Sequence, residues 1–269
     1  MPTLSMNEVT TYRWPLEEDV RRYAAAGFEG IGVWRNKLAD YGEEQAVDLI
    51  AESGLRVTNL GWAGGFTGSD GRSLDESVQD AAHAVRLAGA LGAGCLVVYP
   101  GGRNNHITSH ANCLLKTAIE QLLDFAADAE VTLAIEPMHA ACAREWTFLT
   151  DVARAMEFVE SFDSPFLKLV FDTYHFGDDP WVRANLAALV PHIAVVHLGD
   201  RVEPHGVDQD RRPLGDGRME LAELVRGLVD AGYTGDFDVE LIGRNIQQSD
   251  YELILKSSLE FFERVMAPA

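Results

Sequence analysis

The sequence predicts an α/β protein, a single-domain (β/α)8 TIM barrel, on three observations. Short runs rich in β-branched and apolar residues alternate eight times with longer amphipathic stretches, the pattern of strands each followed by a helix. No Pro/Ser-rich linker interrupts the alternation, so one domain over residues 1–269 is expected, in keeping with barrels of about 250 residues that form single domains. The third observation is an absence. A doubly wound sheet of this length would carry a Gly-rich phosphate turn after an early strand, and neither GxGxxG nor a Walker sequence is present.

In chain order, the first strand is expected at 3–6 and its helix at 16–26. That helix stops at Ala26-Gly27-Phe28-Glu29-Gly30, where a glycine lets the chain turn in the left-handed conformation before it re-enters the sheet. The second strand, at 30–34, precedes a helix at 43–53, and the third, at 57–62, precedes one at 73–91. The fourth, Cys95-Leu96-Val97-Val98-Tyr99, is apolar throughout, as parallel strands covered by helices are, and leads to a helix at 109–129. Strands at 132–136, 167–172 and 193–198 then alternate with helices at 148–160, 180–189 and 221–231. The last unit repeats the punctuation of the first: Ala231-Gly232-Tyr233-Thr234-Gly235 leads into a strand at 236–241 and a helix at 251–265.

Composition narrows the function classes. With 47% hydrophobic and 24% charged residues the chain can bury a full core. Its 22 basic residues against 42 acidic ones give a net charge of −20, which repels phosphate backbones and anionic lipid, so neither nucleic acid nor a membrane surface is expected as a partner. Cys95, Cys113 and Cys142 form no CxxC pair and are odd in number, which argues against a disulfide framework or a structural zinc cluster and for a reducing, cytoplasmic setting. Met1 to Glu8 lacks a basic stretch leading into an apolar one, and nowhere do eighteen apolar residues run together, so no export signal or membrane span is expected.

In such a barrel the site lies at the C-terminal ends of the strands. Four ends are polar: Ile135-Glu136-Pro137, Val170-Phe171-Asp172, Val195-Val196-His197 and Asp238-Val239-Glu240. Each lies about one βα unit from the next, so the four side chains converge on one mouth. Alone, each is equally a strand-end polar residue with a local hydrogen bond; four in successive units read as a metal site. Two Glu, one Asp and one His make a hard, mostly oxygen-donor set that suits one divalent cation, Mn²⁺ foremost, with Mg²⁺, Co²⁺ or Fe²⁺ also compatible. No organic cofactor is expected.

The motifs Ile135-Glu136-Pro137, Phe171-Asp172-Thr173-Tyr174-His175, His197-Leu198-Gly199-Asp200, Arg211-Arg212-Pro213-Leu214-Gly215-Asp216-Gly217-Arg218 and Val239-Glu240 resemble those of the xylose isomerase-like barrels. That group includes sugar isomerases, ketose 3-epimerases and inosose dehydratases, and the resemblance runs over nearly the whole chain. It implies that Glu136, Asp172, His197 and Glu240 hold one divalent cation, and that His175 and Arg212 contact the sugar's oxygens. Arg211, beside Arg212, is an equally placed candidate, and His175 is otherwise a hydrogen-bonded loop histidine. The resemblance also suggests a homodimer or homotetramer. One departure is plain: the ketose 3-epimerase branch carries a further Glu six residues after the first metal Glu, where this chain has Cys142. The stretch 201–209 is longer than its counterpart, which points either to a reshaped pocket or to a subunit contact.

A divalent ion that chelates a carbonyl and a neighbouring hydroxyl acidifies the adjacent C–H and stabilises the enediolate formed on its removal. Glu136 and Glu240 then take and return protons. The expected function is a divalent-metal-dependent isomerase or epimerase of a small sugar, cyclitol or sugar-like keto compound. The alternative is a lyase on the same residues, an inosose-type dehydratase or a 3-oxo-glycoside eliminase, distinguished by a change in product mass. Endonucleases of related barrel type need several metals and a basic DNA track, which a charge of −20 does not offer. Trp34 and Trp62, at strand ends, either stack on the apolar face of a sugar or pack the core. His106, after the fourth strand, either lines the mouth or sits in a polar surface loop.

Overall fold

In the computed structural model, which describes residues 2–267, eight strands close into one parallel barrel in sequence order. They are β1 (Leu4–Asn7), β2 (Gly30–Trp34), β3 (Arg56–Gly64), β4 (Cys95–Tyr99), β5 (Thr132–Ile135), β6 (Leu167–Asp172), β7 (Ile193–Leu198) and β8 (Asp236–Val239). The register Leu4↔Phe237, Ser5↔Asp238, Met6↔Val239 joins β1 to β8 and leaves the sheet without an edge.

Alternation along the strands sorts the side chains into two environments. Met6, Ile31, Phe237 and Val239 belong to the apolar core that the helices share. Ser5, Asn7 and Asp238 take the other parity and meet across the barrel interior. Ser5 Oγ donates to Asp238 Oδ1 at 2.5 Å, while Asn7 Nδ2 and Asn59 Nδ2 both donate to Asp238 Oδ2, at 2.6 and 2.8 Å. A buried carboxylate is tolerable here because its lone pairs are so fully engaged.

The helices follow the expected stops. Helix Leu16–Ala26 buries Leu16, Val20 and Tyr23 and ends at Gly27, which takes φ 99°. Gly232, at φ 96°, follows the helix Leu221–Asp230 in the same way. Ser73 caps Leu74–Ala90 through a reciprocal box with Glu76, so that helix starts one residue later than the pattern suggested. Asp151 accepts from Arg154 N–H and delays the helix expected at 148–160 to Val152–Glu160, leaving 148–151 outside it. The expected helix at 180–189 breaks at Asn185 into Pro180–Ala184 and Leu186–Leu189.

Two strands end one or two residues before their predicted limits, and both ends bear on function. Pro137 has no N–H to continue the ladder, so β5 stops at Ile135, although Glu136 N–H still donates to Val98 O at 3.1 Å. Glu240 likewise sits just beyond β8, its N–H donating to Leu198 O at 3.0 Å. Short helices at Arg35–Tyr41, Ala140–Ala143, Thr173–Phe176 and Arg244–Gln248 decorate the same rim. Among the described residues no helix is long and apolar enough to cross a membrane.

Candidate metal centre

Glu136, Asp172, His197 and Glu240 leave the ends of β5, β6, β7 and β8, four adjacent strands, and their side chains turn to one point. One ligand atom from each lies within 4.8 Å of those of the other three, and all four residues are buried. Both oxygens of Glu136 and both ring nitrogens of His197 lack any hydrogen-bond partner. Buried polar atoms are seldom left so unless something else occupies them. His197 Nδ1 faces Glu240 Oε2 at 3.5 Å and Glu136 Oε2 at 3.8 Å, while Nε2 looks down the barrel toward Asp238 Oδ2 at 3.9 Å.

Arg211 completes the centre. Its Nη1 donates to Glu240 Oε2 and to the Glu240 carbonyl oxygen, both at 2.6 Å, and its Nη2 donates to Asp172 Oδ2 at 2.7 Å. The guanidinium lies 5.1 Å from the Tyr174 ring centroid and is 1% exposed. The resemblance implied that Arg212 contacts the substrate, with Arg211 equally placed; in the structure Arg211 is the one that turns into the metal centre. In the extended segment Arg211 N–H donates to Ile242 O and Arg212 N–H to Asp200 O, on opposite sides, so the two side chains diverge and only Arg211 turns inward.

The charges shape one another. Burial pushes the Asp172 carboxyl up to about 7 against the pull of Arg211, with Glu136 and Glu240 adding to the rise. Burial acts on Glu240 in the same sense, but Arg211 and His197 outweigh it and hold that carboxyl well below its usual range. For His197, burial favours the neutral ring, yet Glu240 and Glu136 hold its pKa well above normal. With His197 neutral, as a metal ligand must be, three carboxylates against one guanidinium leave excess buried negative charge. A divalent cation answers both that excess and the unpartnered donor atoms, so the residues present fit one hard metal ion.

The remaining candidates separate. His175 lies in the turn Thr173–Phe176, buried, with neither ring nitrogen hydrogen-bonded and Nε2 3.9 Å from Asp172 Oδ2. Burial and Arg211 keep its imidazole neutral. Trp34 and Trp62 line a cavity of about 190 Å³ above Glu240 and Arg211, stacked at 6.2 Å between centroids. The backbone N–H of Trp34 donates to Glu8 Oε2 at 2.7 Å and fixes the end of β2 from which the ring projects. His106 does not line this cavity. Its Nε2 bonds the Thr67 carbonyl oxygen at 3.1 Å and its ring packs on His110, because the loop after β4 folds back over the segment around Thr67.

Of residues 201–209, Gln209 reaches the cavity and the rest pack on the neighbouring loops. His205 stacks on His139 at 3.8 Å, its Nε2 donates to the Tyr174 carbonyl oxygen at 2.7 Å, and Gln209 lines the cavity. Cys142, where the epimerase branch has its extra Glu, gives its thiol to the Gly206 carbonyl oxygen at 3.2 Å.

The sequence pattern of the xylose isomerase-like TIM barrel family matches residues 20–265. The chain belongs to that family. Among curated relatives, L-ribulose-5-phosphate 3-epimerase UlaE of Salmonella heidelberg strain SL476 is 24% identical over 216 residues, 75% of this chain and 71% of that protein. A crystal structure of a Sinorhizobium meliloti 1021 protein superposes with a TM-score of 0.90 at 26% identity over 98% of both chains. The IolI protein, crystallised with a zinc atom, shares the fold with a TM-score of 0.85 at 19% identity, covering 98% of this chain and 97% of its own.

Three residues of this xylose isomerase-like barrel's site escaped the sequence reading: Tyr99, Trp146 and Asp238. Tyr99 ends β4 and looks like one more apolar strand residue, and Trp146 lies in a loop without periodic signal. Asp238 had a signal in the alternation Asp236-Phe237-Asp238-Val239-Glu240, which puts a carboxylate inside the barrel two residues before the ligand.

Proposed function

We propose that this protein is a divalent-metal-dependent isomerase or epimerase of a sugar or sugar-like keto compound. The observation that carries the reading is the set of four buried ligand atoms within 4.8 Å of one another, with both Glu136 oxygens free of hydrogen bonds. Glu136, Asp172, His197 and Glu240 would hold the ion. When bound, a divalent cation supplies Lewis acidity that polarises a carbonyl and acidifies the C–H beside it.

The chain's own groups do the rest. Glu136 and Glu240 stand at the two ends of the four-strand arc, so a carbon between them is approached from both sides. One carboxylate removes the proton and the other returns it, to the same carbon for epimerisation or to its neighbour for isomerisation. His175, neutral and unpartnered, offers a ring nitrogen to a substrate oxygen, and the Arg211 guanidinium donates to another. Trp34 and Trp62 cover the cavity and keep water from the reacting carbon. The curated relatives named as sugar epimerases support the same class of chemistry.

Cys142 favours a second reading. Its thiol turns to Gly206, so the additional carboxylate of the ketose 3-epimerase branch has no substitute here, and a lyase acting on an inosose or a 3-oxo-glycoside would use the same two glutamates.

The test is incubation with Mn²⁺ in D₂O against ketoses, aldoses, inososes and 3-oxo-glycosides. Deuterium should enter beside the carbonyl at unchanged substrate skeleton, and Glu136→Gln should lower the exchange by about 10²- to 10⁴-fold, the usual contribution of a positioned base. Exchange that survives EDTA or the Glu136→Gln change overturns the reading. Loss of water or of an aglycone assigns the lyase.

A further inference from the structure

We infer that the substrate is an unphosphorylated keto-glycoside, a sugar ring with its carbonyl over the metal centre carrying a second, apolar ring in an adjoining aromatic cleft. The inference rests on the proton-transfer reading above and adds to it the class of molecule that enters. It begins with size. The cavity over Glu240 holds about 190 Å³, small beside the roughly 300–1,000 Å³ of sites for larger organic ligands. It adjoins a cleft of about 510 Å³, and the same four rings, Trp34, Trp62, Tyr99 and Trp146, line both. The substrate therefore has room beyond one sugar ring.

The rings decide what fills that room. Trp62 packs edge-on against Trp146 at 5.2 Å and against Tyr99 at 5.5 Å, and lies nearly parallel to Trp34, with 22° between the planes. Trp146 is 38% exposed at the rim. Flat, partly exposed aromatic surface of this extent binds flat, apolar groups, a second ring above all.

The charges exclude a phosphate. Barrels that take phosphate commonly place it among the loops after strands seven and eight, at the N-terminus of a short extra helix. The short helix Arg244–Gln248 stands in that place here, but Asp210 Oδ1 already accepts from Arg244 N–H at 3.1 Å, and a carboxylate occupies the anion's position. In the cleft, Arg35 gives both terminal nitrogens to Asp80, at 3.1 and 2.8 Å. Arg72 is shared between Asp70 at 2.7 Å and Asp80 at 3.1 Å. Glu43 and Glu145 also line the cleft. Two engaged guanidiniums among four carboxylates leave the cleft with net negative charge, which repels a phosphate dianion.

Binding without turnover tests this. Calorimetric titration of the full chain with Mn²⁺ compares methyl with phenyl β-D-glucopyranoside, and D-glucose with D-glucose 6-phosphate. The phenyl glucoside should bind at least about tenfold tighter than the methyl glucoside, and the phosphate ester more weakly than glucose. Trp146→Ala should reduce the phenyl preference to under about threefold. Equal binding of the two glucosides, including none by either at millimolar concentration, or tighter binding of the phosphate ester, overturns the inference. The wild-type comparison stands even if the variant folds poorly. If no carbonyl compound exchanges deuterium yet the phenyl preference holds, the proton-transfer reading fails and the binding inference survives. Exchange that favours a phosphate ester has the opposite meaning.

Discussion

Arg211 concentrates the charge balance of the metal centre in one side chain. It is the only cation hydrogen-bonded to Asp172 and Glu240 among the described residues, and its removal leaves two buried carboxylates facing each other. Arg211→Met should cost about 3–5 kcal/mol of stability in EDTA, the usual penalty for breaking a buried ion pair from one side. Arg212→Ala should stay within about 0.5 kcal/mol. Urea denaturation of both variants checks this, and equal losses would refute the assignment of Arg211 as the inward residue. The four metal-ligand candidates were legible because a polar residue at the end of an apolar run stands out. The choice between Arg211 and Arg212 was not, since neighbours in an extended segment differ only in the side they face. That side is set by pairing with Ile242 and Asp200, distant in sequence. Trp34 and Trp62 lie on strands and His106 in the loop after one, and only a fixed strand register carries a side chain reliably to the mouth.

At the scale of elements, residues 201–209 act as a strap over the loops that follow β5 and β6. Its hold on the body runs through neutral imidazole: His205 donates to the Tyr174 carbonyl oxygen and stacks face to face on His139. Burial lowers the His205 pKa to about 4, which the Tyr174 carbonyl only partly opposes. Between about pH 4 and the unfolded value near 6.5, the unfolded chain therefore binds more protons at this residue than the folded one, and stability falls as the pH falls through that window. Because His205 is half exposed, the effect is on the order of 1 kcal/mol or less. Wild type should lose more urea stability than His205→Gln between pH 7 and pH 5; equal losses would remove the strap from the account. The regular elements were well marked by glycine stops and apolar runs, whereas this strap and the one-turn helices at Ala140–Ala143 and Thr173–Phe176 are too short for periodicity to reveal.

For the whole molecule, the order of the barrel could be read in advance because each βα unit packs beside the next and the alternation never breaks. A metal ion should tie its closing half together. An ion that binds only the folded barrel stabilises it by RT ln(1 + [L]/Kd), about 2.7 kcal/mol at a hundredfold excess over Kd. Mn²⁺ at that excess should raise the melting temperature by about 5 °C or more, and Glu136→Gln should lose most of the shift. No shift in wild type would argue against the metal centre.

The ligands leave β5 to β8, while Trp34, Trp62 and Tyr99 leave β2 to β4. Three of the four rings that line the cleft are thus inherited on the half of the chain that carries no metal ligand, and Trp146 on the other. A duplicated gene can drift in the first half, exchanging one indole for another group, and acquire a new diet while the proton-moving half stays as it was. In that sense the barrel is a tool with a replaceable grip, and descendants of this sequence can diverge in what they accept long before they diverge in what they do.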